Sequence, residues 1–402
     1  MRNAIDVAVF WAGFRLIDSQ VLSESHLLLR LEPDPQIDPL CGRCRLPCGL
    51  VHECLIRRVR ERDLFDQRVT VEVPLRRVVC MTCGVSTEHL SWLPSRSRLT
   101  LRLIAHIEVL LRFLPIRHIS QLTGLHWHTI RTIDGRRLAR DVKPADLSRV
   151  RRLIMDEFAL FKGHRYATVA ICADTQQVLW VGEGRSREAV KPFFEMLGPT
   201  VCGRIEAVAM DMNTAMDLEV KAHCASARVV YDLFHVIAKF GRDVIDRVRV
   251  DQANALKADP SARRVIKRSR WLLLRNRDNL TDEQSIKLDE LLTANAPLTI
   301  VYVLKDQLKE LWYAPDESEA QRRWQEWLRL AMDSQLAPLI AFAKRLTPYI
   351  EGIVASALFR LNTSVLEGMN NRIKVIKRMA YGYRDSAYFF LKIKDAFPGK
   401  AR

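Results

Sequence analysis

Three carboxylates in this chain occupy positions from which they could bind metal ions together. Asp156 lies in the apolar run Leu153 to Phe158, Asp211 lies in the apolar run Ile205 to Met212, and Glu367 opens a helical segment. A carboxylate in an apolar strand costs free energy unless it is paired or bound to a metal. The pattern predicts two divalent ions, Mg²⁺ or Mn²⁺, of the kind that drive in-line displacement at phosphodiesters.

Other polar residues near these acids have competing interpretations. Glu157 follows Asp156 but points to the opposite strand face, so it ranks lower as a ligand. Asp232 and His235 follow an apolar strand and could support the metal site, contact DNA or, for Asp232, cap a helix. Glu367 also fits a capping box with Ser364, three residues earlier.

The elements around Asp156 and Asp211 alternate between strand and helix. Strand-like runs cover 152–160, 166–173, 177–182, 205–211 and 227–232, and helix-like runs cover 187–197 and 213–223. This order predicts a mixed sheet with helices on its faces. Asp211 would lie at the carboxyl edge, where open α/β sheets bind ligands. From residue 233 to about 355 the pattern is almost wholly helical.

The helix around Glu367 has two distinct faces. Helical spacing places Val365, Met369, Ile373, Ile376 and Ala380 on the buried face. The other side and its extension carry donors suited to backbone phosphates: Asn370 or Asn371, Lys374, Lys377, Arg378 and Arg384. Tyr381 and Tyr383 extend that surface with rings that can stack on bases.

Composition indicates a polyanionic partner. Lys and Arg number 63 against 47 acids, giving a formal charge of +16, and nucleic acid is the simplest partner for that excess. Hydrophobic residues make up 48% of the chain, enough for real cores. No apolar run approaches the ~20 residues that span a bilayer, and the N-terminus lacks a signal-peptide pattern, so we expect no membrane association.

Four of the nine cysteines form two CxxC pairs, Cys41 with Cys44 and Cys80 with Cys83. Two such turns complete a tetrahedral four-thiolate site, which predicts a structural Zn²⁺ in a zinc ribbon. A redox pair or unrelated buried thiols are the alternatives. Neighbouring potential ligands are Cys48, His52 and Cys54.

Residues 116 to 137 fit a helix-turn-helix. Ile116 to Leu122 form the first helix, and Trp127 to Arg137 form the second. Its expected core is Ile119, Leu122, Leu125, Ile130 and Ile133. Its expected DNA contacts are Trp127, His128, Thr129 and Arg131. His126 occupies the cap position, where Ser or Thr is usual. An ordinary three-helix packing unit is the alternative.

Together these motifs resemble bacterial insertion-sequence transposases of the ISL3 family, which carry a DDE catalytic domain. The resemblance spans nearly the whole chain. Besides the CxxC pairs and the helix-turn-helix, it rests on Met155 to Phe158, Met210 to Met212, Asp232 to Val236, Glu367 to Lys374, Lys377-Arg378 and Tyr381 to Arg384.

The resemblance implies a multidomain α/β protein in which Asp156, Asp211 and Glu367 are the metal-binding triad of a ribonuclease-H-like fold. It also implies that the N-terminal half recognises terminal inverted repeats. The expected domains are a zinc-ribbon-like region at 1–95, a helix-turn-helix at 96–142, a catalytic domain at 150–235 and 356–396, and a helical insertion at 236–355. We expect a cytoplasmic, nucleoid-associated homodimer or higher oligomer that acts on element ends and target DNA.

Two other functions remain open at this point. A non-catalytic DNA-binding regulator would use the zinc ribbon and helix-turn-helix without cleaving DNA. A ribonuclease-H-like nuclease or resolvase would cut without joining ends. The acid triad argues against the regulator, because a pure binder gains nothing from buried, mutually repelling carboxylates.

Overall fold

A computed structural model describes residues 9–161, 163, 165–361 and 364–400, and in the helix beginning at Ser364 it describes no side chain before Gly368. The chain divides into two compact units, Met1–Arg140 and Asp141–Arg402, which we call the N-terminal and C-terminal units. None of the described helices is both long and apolar enough to cross a membrane.

The N-terminal unit begins with a sheet. Its strands are β1 Phe14–Ser23, β2 His26–Pro33, β3 Leu40–Cys41, β4 Val51–Arg60, β5 Arg68–Cys80 and β6 Gly84–His89. The order is β1-β2-β5-β6-β3, and β4 also pairs with β5. Every second side chain of β5 from Val69 to Leu75 is buried, as expected for a strand with one face on the core.

Three helices complete this unit: α1 Leu101–Leu110, α2 Ile116–Thr123 and α3 Trp127–Asp141. The predicted core residues Ile119, Ile130 and Ile133 are buried, and Leu125 packs against them. The prediction was wrong for Leu122, whose side chain is 62% exposed. The inward row of α2 consists of Ile119 and Thr123, four residues apart, so Leu122 lies outside it.

A buried carboxylate joins the sheet to α1. Glu61 accepts hydrogen bonds from Trp11 Nε1 at 3.2 Å, Thr100 Oγ1 at 2.8 Å and Arg102 Nη2 at 2.6 Å. Thr100 also caps α1 by accepting from the Leu103 amide. Burial alone would raise the pKa of Glu61, but the bonds from Arg102, the Arg62 amide and Thr100 outweigh it and lower the pKa.

The C-terminal unit contains a second sheet. Its strands are β7 Arg152–Phe161, β8 Arg165–Cys172, β9 Val178–Glu183, β10 Ala207–Met210 and β11 Arg228–Tyr231, in the order β11-β10-β7-β8-β9. The strands β7, β8 and β9 are antiparallel neighbours, whereas β10 runs parallel to β7 and to β11. These bounds match the predicted strands within two residues, and the predicted mixed sheet is correct.

Helices cover both faces of this sheet. On one face lie α4 Arg187–Cys202, which contains a break at Gly198, and α5 Thr214–His223. This face of β7 contributes Leu153 and Met155 to the larger core. On the other face Ile154 and Phe158 pack with residues of α15 Ser364–Met379 and α16 Ser386–Ala396. Asp156 falls on this second face by the alternation of the strand.

The segment between Asp232 and residue 360 is helical, as predicted. Its helices are α6 Leu233–Phe240, α7 Asp246–Ala255, α8 Pro260–Arg268, α9 Arg270–Leu274, α10 Asp282–Ala294, α11 Ala296–Glu310, α12 Glu317–Asp333, α13 Ala337–Leu346 and α14 Ile350–Phe359. A π-helical turn, Gly241–Ile245, joins α6 to α7, and 3₁₀ turns occupy Arg277–Asn279 and Thr347–Tyr349.

This helical segment shares its apolar core with the sheet. Phe240, Trp327 and Phe342 belong to the same buried cluster as Leu153 of β7. Gly352 of α14 lies so close to Tyr231 of β11 that a Cβ atom there would come within 2.6 Å of the tyrosine ring. The segment is therefore packed continuously onto the sheet edge.

We expect Glu61→Gln to destabilise the N-terminal unit by about 2 kcal/mol, because it removes a buried carboxylate that accepts a charge-assisted hydrogen bond from the partly exposed Arg102. Since the folded-state pKa of Glu61 is lowered, its stabilisation is present above the unfolded pKa and is lost as pH falls through the folded value. Urea denaturation of the full-length protein, followed by tryptophan fluorescence, measures this loss.

The matched control is Glu53→Gln. Glu53 pairs with Arg77 on the surface, with side chains 39% and 42% exposed, so its removal should cost less than about 1 kcal/mol. Equal destabilisation by both substitutions would contradict the role assigned to Glu61.

Candidate active site and thiolate centre

Strand register brings Asp156 and Asp211 side by side. Ile154 of β7 pairs with Ala209 of the parallel neighbour β10. Extending that register by two residues places Asp156 opposite Asp211, which follows the end of β10. Both lie on the face of the sheet to which Ile154 and Ala209 belong. The sheet itself therefore juxtaposes the two acids that the sequence singled out.

Asp156 is held by two donors. Its Oδ1 accepts from the Glu157 amide at 2.7 Å, and its Oδ2 accepts from Nδ2 of Asn370 in α15 at 2.5 Å. Burial raises the pKa of Asp156, and the charge of Asp211 adds to that rise. The Glu157 and Asn370 hydrogen bonds oppose it. Asn370 was expected to contact DNA, and in this structure it orients the carboxylate.

Asp211 has fewer protein partners. Burial raises its pKa, and the Asp232 charge adds to the effect, whereas His235 opposes it. The Nδ1 atom of His235 lies 3.9 Å from Oδ2 of Asp211. Oδ1 of Asp211 is buried and has no hydrogen-bond partner among the described residues. A buried carboxylate oxygen of this kind calls for a partner outside the protein.

Two further buried atoms in this neighbourhood, His235 Nδ1 and Asn370 Oδ1, also lack a hydrogen-bond partner in the described part of the chain. Carboxylate and amide oxygens are ligands suited to Mg²⁺ and Mn²⁺. The donor set around Asp156 and Asp211 thus fits a hard divalent cation. His235, one of the residues that the sequence analysis suggested could support the metal site, lies within this group.

Asp232 caps a helix. Its side chain accepts from the Phe234 amide at 2.9 Å at the start of α6. It is nearly buried, and its Oδ2 lies 3.9 Å from His235 Nδ1. Of the interpretations open from sequence, the helix cap therefore holds, and Asp232 also contributes negative potential beside Asp211.

Glu157 lies on the opposite face of β7, as the strand alternation predicted. Its carboxylate accepts hydrogen bonds from Asn213 Nδ2 and, at 3.4 Å, from Arg185 Nη1. Asn213 in turn caps α5 through its Oδ1. Sequence reasoning missed Asn213 and Arg185. The signal that could have identified the helix cap is an Asn two residues after Asp211 and directly before a helix.

The helix α15 carries the remaining residues of the predicted site. The backbone of Glu367 belongs to α15, but its side chain lies outside the described residues, as does that of Val365. Met369 and Ile373 are buried against the sheet, as predicted. Lys374, Arg378 and Arg384 are exposed. Lys377 Nζ donates to the Ala159 carbonyl at 3.0 Å and so ties α15 to β7.

Tyr381 and Tyr383 differ in exposure. Tyr381 is exposed, whereas Tyr383 stacks on Phe389 of α16 with ring centroids 4.5 Å apart. One face of the Tyr383 ring is therefore covered by Phe389.

The four predicted zinc ligands converge. The sulfur atoms of Cys41, Cys44, Cys80 and Cys83 all lie within 4.8 Å of one another. Cys41 ends β3, Cys80 ends β5, and Cys83 precedes β6, so strand ends position the group. A hydrogen bond with Ser86 Oγ, together with backbone amides, lowers the pKa of Cys41 to about 5. Four adjacent thiols with a stabilised thiolate fit one tetrahedral Zn²⁺.

The competing ligands lie outside this group. Cys48 is buried beside Cys41 and Cys80, and its thiol pKa is raised by burial. Cys54 and His52 are exposed on β4. The structure therefore assembles the two CxxC pairs as predicted.

The predicted helix-turn-helix has the expected geometry. Gly124, at φ +68°, closes α2 in the left-handed conformation that favours glycine. His126 accepts from the His128 amide through Nδ1 at 3.3 Å, so it supplies the cap that its residue type did not suggest. Trp127 and His128 are exposed, and Thr129 and Arg131 are partly exposed.

Two family models match this chain, one in the N-terminal unit and one in the C-terminal unit. The family model for the DDE domain of ISL3 proteins, described as Transposase, matches residues 153–393. The model described as Helix-turn-helix domain of transposase family ISL3 matches residues 88–137.

Curated relatives cover almost the whole chain. The transposase for insertion sequence element IS1001 of Bordetella parapertussis is 52% identical over 377 residues, covering 94% of this chain and 93% of that protein. The transposase for insertion sequence element IS1557 of Mycobacterium tuberculosis is 25% identical over 383 residues, covering 90% of this chain and 86% of that protein.

We expect Cys80→Ser to lose bound zinc, because three thiolates leave the tetrahedral set incomplete. Zinc per chain is measured by inductively coupled plasma mass spectrometry on the full-length protein. The control Cys54→Ser should keep the wild-type zinc content, since that thiol is exposed and does not belong to the group. Full zinc content in Cys80→Ser would refute the assignment.

We expect Asp211→Asn to weaken Mn²⁺ binding at least tenfold, because it removes a charged oxygen ligand. Protons compete with the metal for carboxylates. Since the pKa values of Asp156 and Asp211 are raised, affinity should fall with decreasing pH sooner than at an ordinary aspartate pair. Electron paramagnetic resonance titration of free Mn²⁺ measures both effects.

Glu195→Gln is the control for this experiment, because Glu195 is an exposed acid of α4 that pairs with Lys191 on the surface. It should retain most of the Mn²⁺ affinity. Equal affinity of the wild type and Asp211→Asn would contradict the site.

Proposed function

Because this chain belongs to the ISL3 family of transposases, we propose that it binds the terminal inverted repeats of an insertion sequence, cleaves DNA there and joins the ends to target DNA. The observation that carries the proposal is the register of β7 and β10. It sets Asp156 beside Asp211, and the helix containing Glu367 supplies the Asn370 contact to Asp156.

Glu367 completes the proposed triad. It precedes Asn370 by three residues in α15, so the two positions lie about one helical turn apart. Because Asn370 contacts Asp156, the backbone of Glu367 is on the element that closes over the acids. The strand order, with three antiparallel strands followed by two parallel ones, supports a ribonuclease-H-like catalytic fold.

In this proposal Asp156, Asp211 and Glu367 hold two Mg²⁺ or Mn²⁺ ions. Such ions, when bound, activate a nucleophile and stabilise the leaving oxygen at a phosphodiester. Asn370 keeps the Asp156 carboxylate in a fixed orientation, and the Glu157–Asn213 contact fixes the start of α5 behind Asp211. These contacts preorganise the acids before DNA arrives.

The reaction has two steps that each exchange one phosphorus–oxygen bond. Water first attacks the phosphodiester at the element end, and the 3′-oxygen of the element leaves and takes up a proton. That 3′-hydroxyl then attacks a target phosphodiester, loses its proton, and displaces the target 3′-oxygen. No protein nucleophile is needed, so no Ser or Tyr is assigned.

DNA is held by both units in this proposal. Trp127, His128, Thr129 and Arg131 on the start of α3 contact base edges in the inverted repeat. Lys374 and Arg378 on α15 and Arg384 after it, all exposed, contact the backbone at the cleavage point. Two element ends must be brought together, which favours a homodimer or higher oligomer.

The two alternatives have weaker support. A non-catalytic regulator does not account for two partly buried carboxylates with raised pKa values, one of which has a buried oxygen without a hydrogen-bond partner among the described residues. A nuclease that does not join ends remains distinguishable by its products.

We expect Asp156→Ala and Asp211→Ala each to abolish cleavage and strand transfer while leaving inverted-repeat affinity within about twofold, because the acids bind metal and not DNA. Labelled element-end DNA with Mg²⁺ or Mn²⁺ measures cleavage and joining, and fluorescence anisotropy measures affinity. Cleavage by Asp211→Ala protein would refute the triad.

The reciprocal variant is Cys80→Ser/Cys83→Ser, which should lose specific binding because the thiolate centre shapes the N-terminal unit. Unchanged inverted-repeat affinity in that protein would refute its recognition role. Boundary cleavage by the wild type without joined products would favour the nuclease.

A further inference from the structure

A cavity of about 750 Å³ lies within the N-terminal unit, between the sheet and the helix-turn-helix. Five arginines line it: Arg58 and Arg60 on β4, Arg68 at the start of β5, Arg98 before α1, and Arg136 on α3. In the described part of the chain, none of the lining residues is an Asp or a Glu. The cavity is therefore strongly electropositive.

Three of these guanidinium groups are not neutralised. Arg58 pairs with Glu72 at 2.9 Å and Arg60 with Asp63 at 2.5 Å. For Arg68, Arg98 and Arg136 the described residues provide no ion pair. Like charges around one space repel each other and raise the free energy of the unliganded protein. An anion in the cavity would relieve that repulsion.

Two of the sheet arginines, Arg60 and Arg68, lie against the turn of the helix-turn-helix. A Cβ atom at Gly124 would come within 2.6 Å of Arg68 Cζ, so the guanidinium group lies directly against the turn. Arg60 Nη2 reaches the Thr123 carbonyl at 3.5 Å. Donors held in this way lose little entropy on binding an anion.

The cavity borders the recognition helix. Thr129, Thr132 and Arg136 line it and recur at spacings of three and four residues, which places them on one face of α3. Thr129 is also one of the residues expected to contact DNA. DNA that lies along the start of α3 would bring the sugar-phosphate backbone next to its major groove toward these arginines.

We propose that this cavity binds the phosphodiester backbone of one DNA strand, the strand flanking the groove that α3 enters. This inference rests on the proposed function insofar as the N-terminal unit binds duplex DNA. Guanidinium groups bind phosphate oxygens through paired, charge-assisted hydrogen bonds. Binding of the backbone in the cavity sets the register of α3 on the duplex. Such contacts to phosphates are independent of base sequence.

The test uses the full-length protein with Arg68→Gln/Arg136→Gln substitutions, without divalent metal. Anisotropy gives Kd as a function of KCl for a labelled element-end duplex and for an unrelated duplex of equal length. Loss of two phosphate contacts should reduce the slope of log Kd against log salt by about 1.8. It should raise Kd roughly 30-fold near physiological salt, on both duplexes.

The matched control is Arg57→Gln/Arg112→Gln, which removes the same charge from positions outside the cavity. Arg57 is the neighbour of Arg58 on β4 and faces the other side of the strand. The control should keep the wild-type slope. Zinc content and circular dichroism confirm folding, and Arg98→Gln, with an expected slope change of about 0.9, serves if the double variant does not fold.

An unchanged slope in the cavity variant, or an equal change in the control, would overturn the proposal. ATP is the probe for a free phosphate ligand. Micromolar ATP binding that the cavity variant loses, with its DNA slope unchanged, would also overturn it. The assay contains no metal and includes an unrelated duplex, so it depends neither on cleavage nor on specificity for the repeat. If the protein fails to cleave DNA or to prefer the repeat, the proposed function is refuted, but the salt dependence measured here is unaffected.

Discussion

The C-terminal unit is organised around two carboxylates on neighbouring strands. Asp156 and Asp211 share one face of the sheet because β7 and β10 run parallel in a fixed register. Burial and repulsion by Asp211 raise the pKa of Asp156, and burial raises that of Asp211. Keeping both carboxyl groups ionised therefore costs the folded protein free energy. A divalent cation bound between the two carboxylates would offset this cost, because it is attracted to both.

The surrounding elements maintain that arrangement from both faces. Beneath Asp156, Met369 and Ile373 anchor α15 on the sheet and bring Asn370 to the carboxylate. On the opposite face, Glu157 and Asn213 fix the start of α5. The helical segment from α6 to α14 shares its core with the sheet, and it packs against β11 at Gly352. The acids are thus mounted on rigid elements, which suits transition-state stabilisation by preorganised groups.

Much of this arrangement was predictable from sequence because it depends on local patterns. Acids in apolar runs marked Asp156 and Asp211, and CxxC spacing marked the thiolate centre. Side-chain contacts at the starts of α3 and α5 were not predictable, namely the His126 cap and the Asn213–Glu157 bond. The outward position of Leu122 within α2 was not predictable either. Periodicity identifies a helix and its apolar face, but it does not specify the long-range partner. For this reason the shared core of sheet and helical segment, and the arginine-lined cavity, emerged only from the fold.

The most direct test of the central claim is anomalous diffraction from Mn²⁺ in crystals of the full-length protein bound to element-end DNA. We predict metal peaks coordinated by oxygens of Asp156, Asp211 and Glu367, next to the phosphodiester at the element end. Manganese bound elsewhere, or bound at Asp156 and Asp211 without Glu367, would contradict the proposed triad.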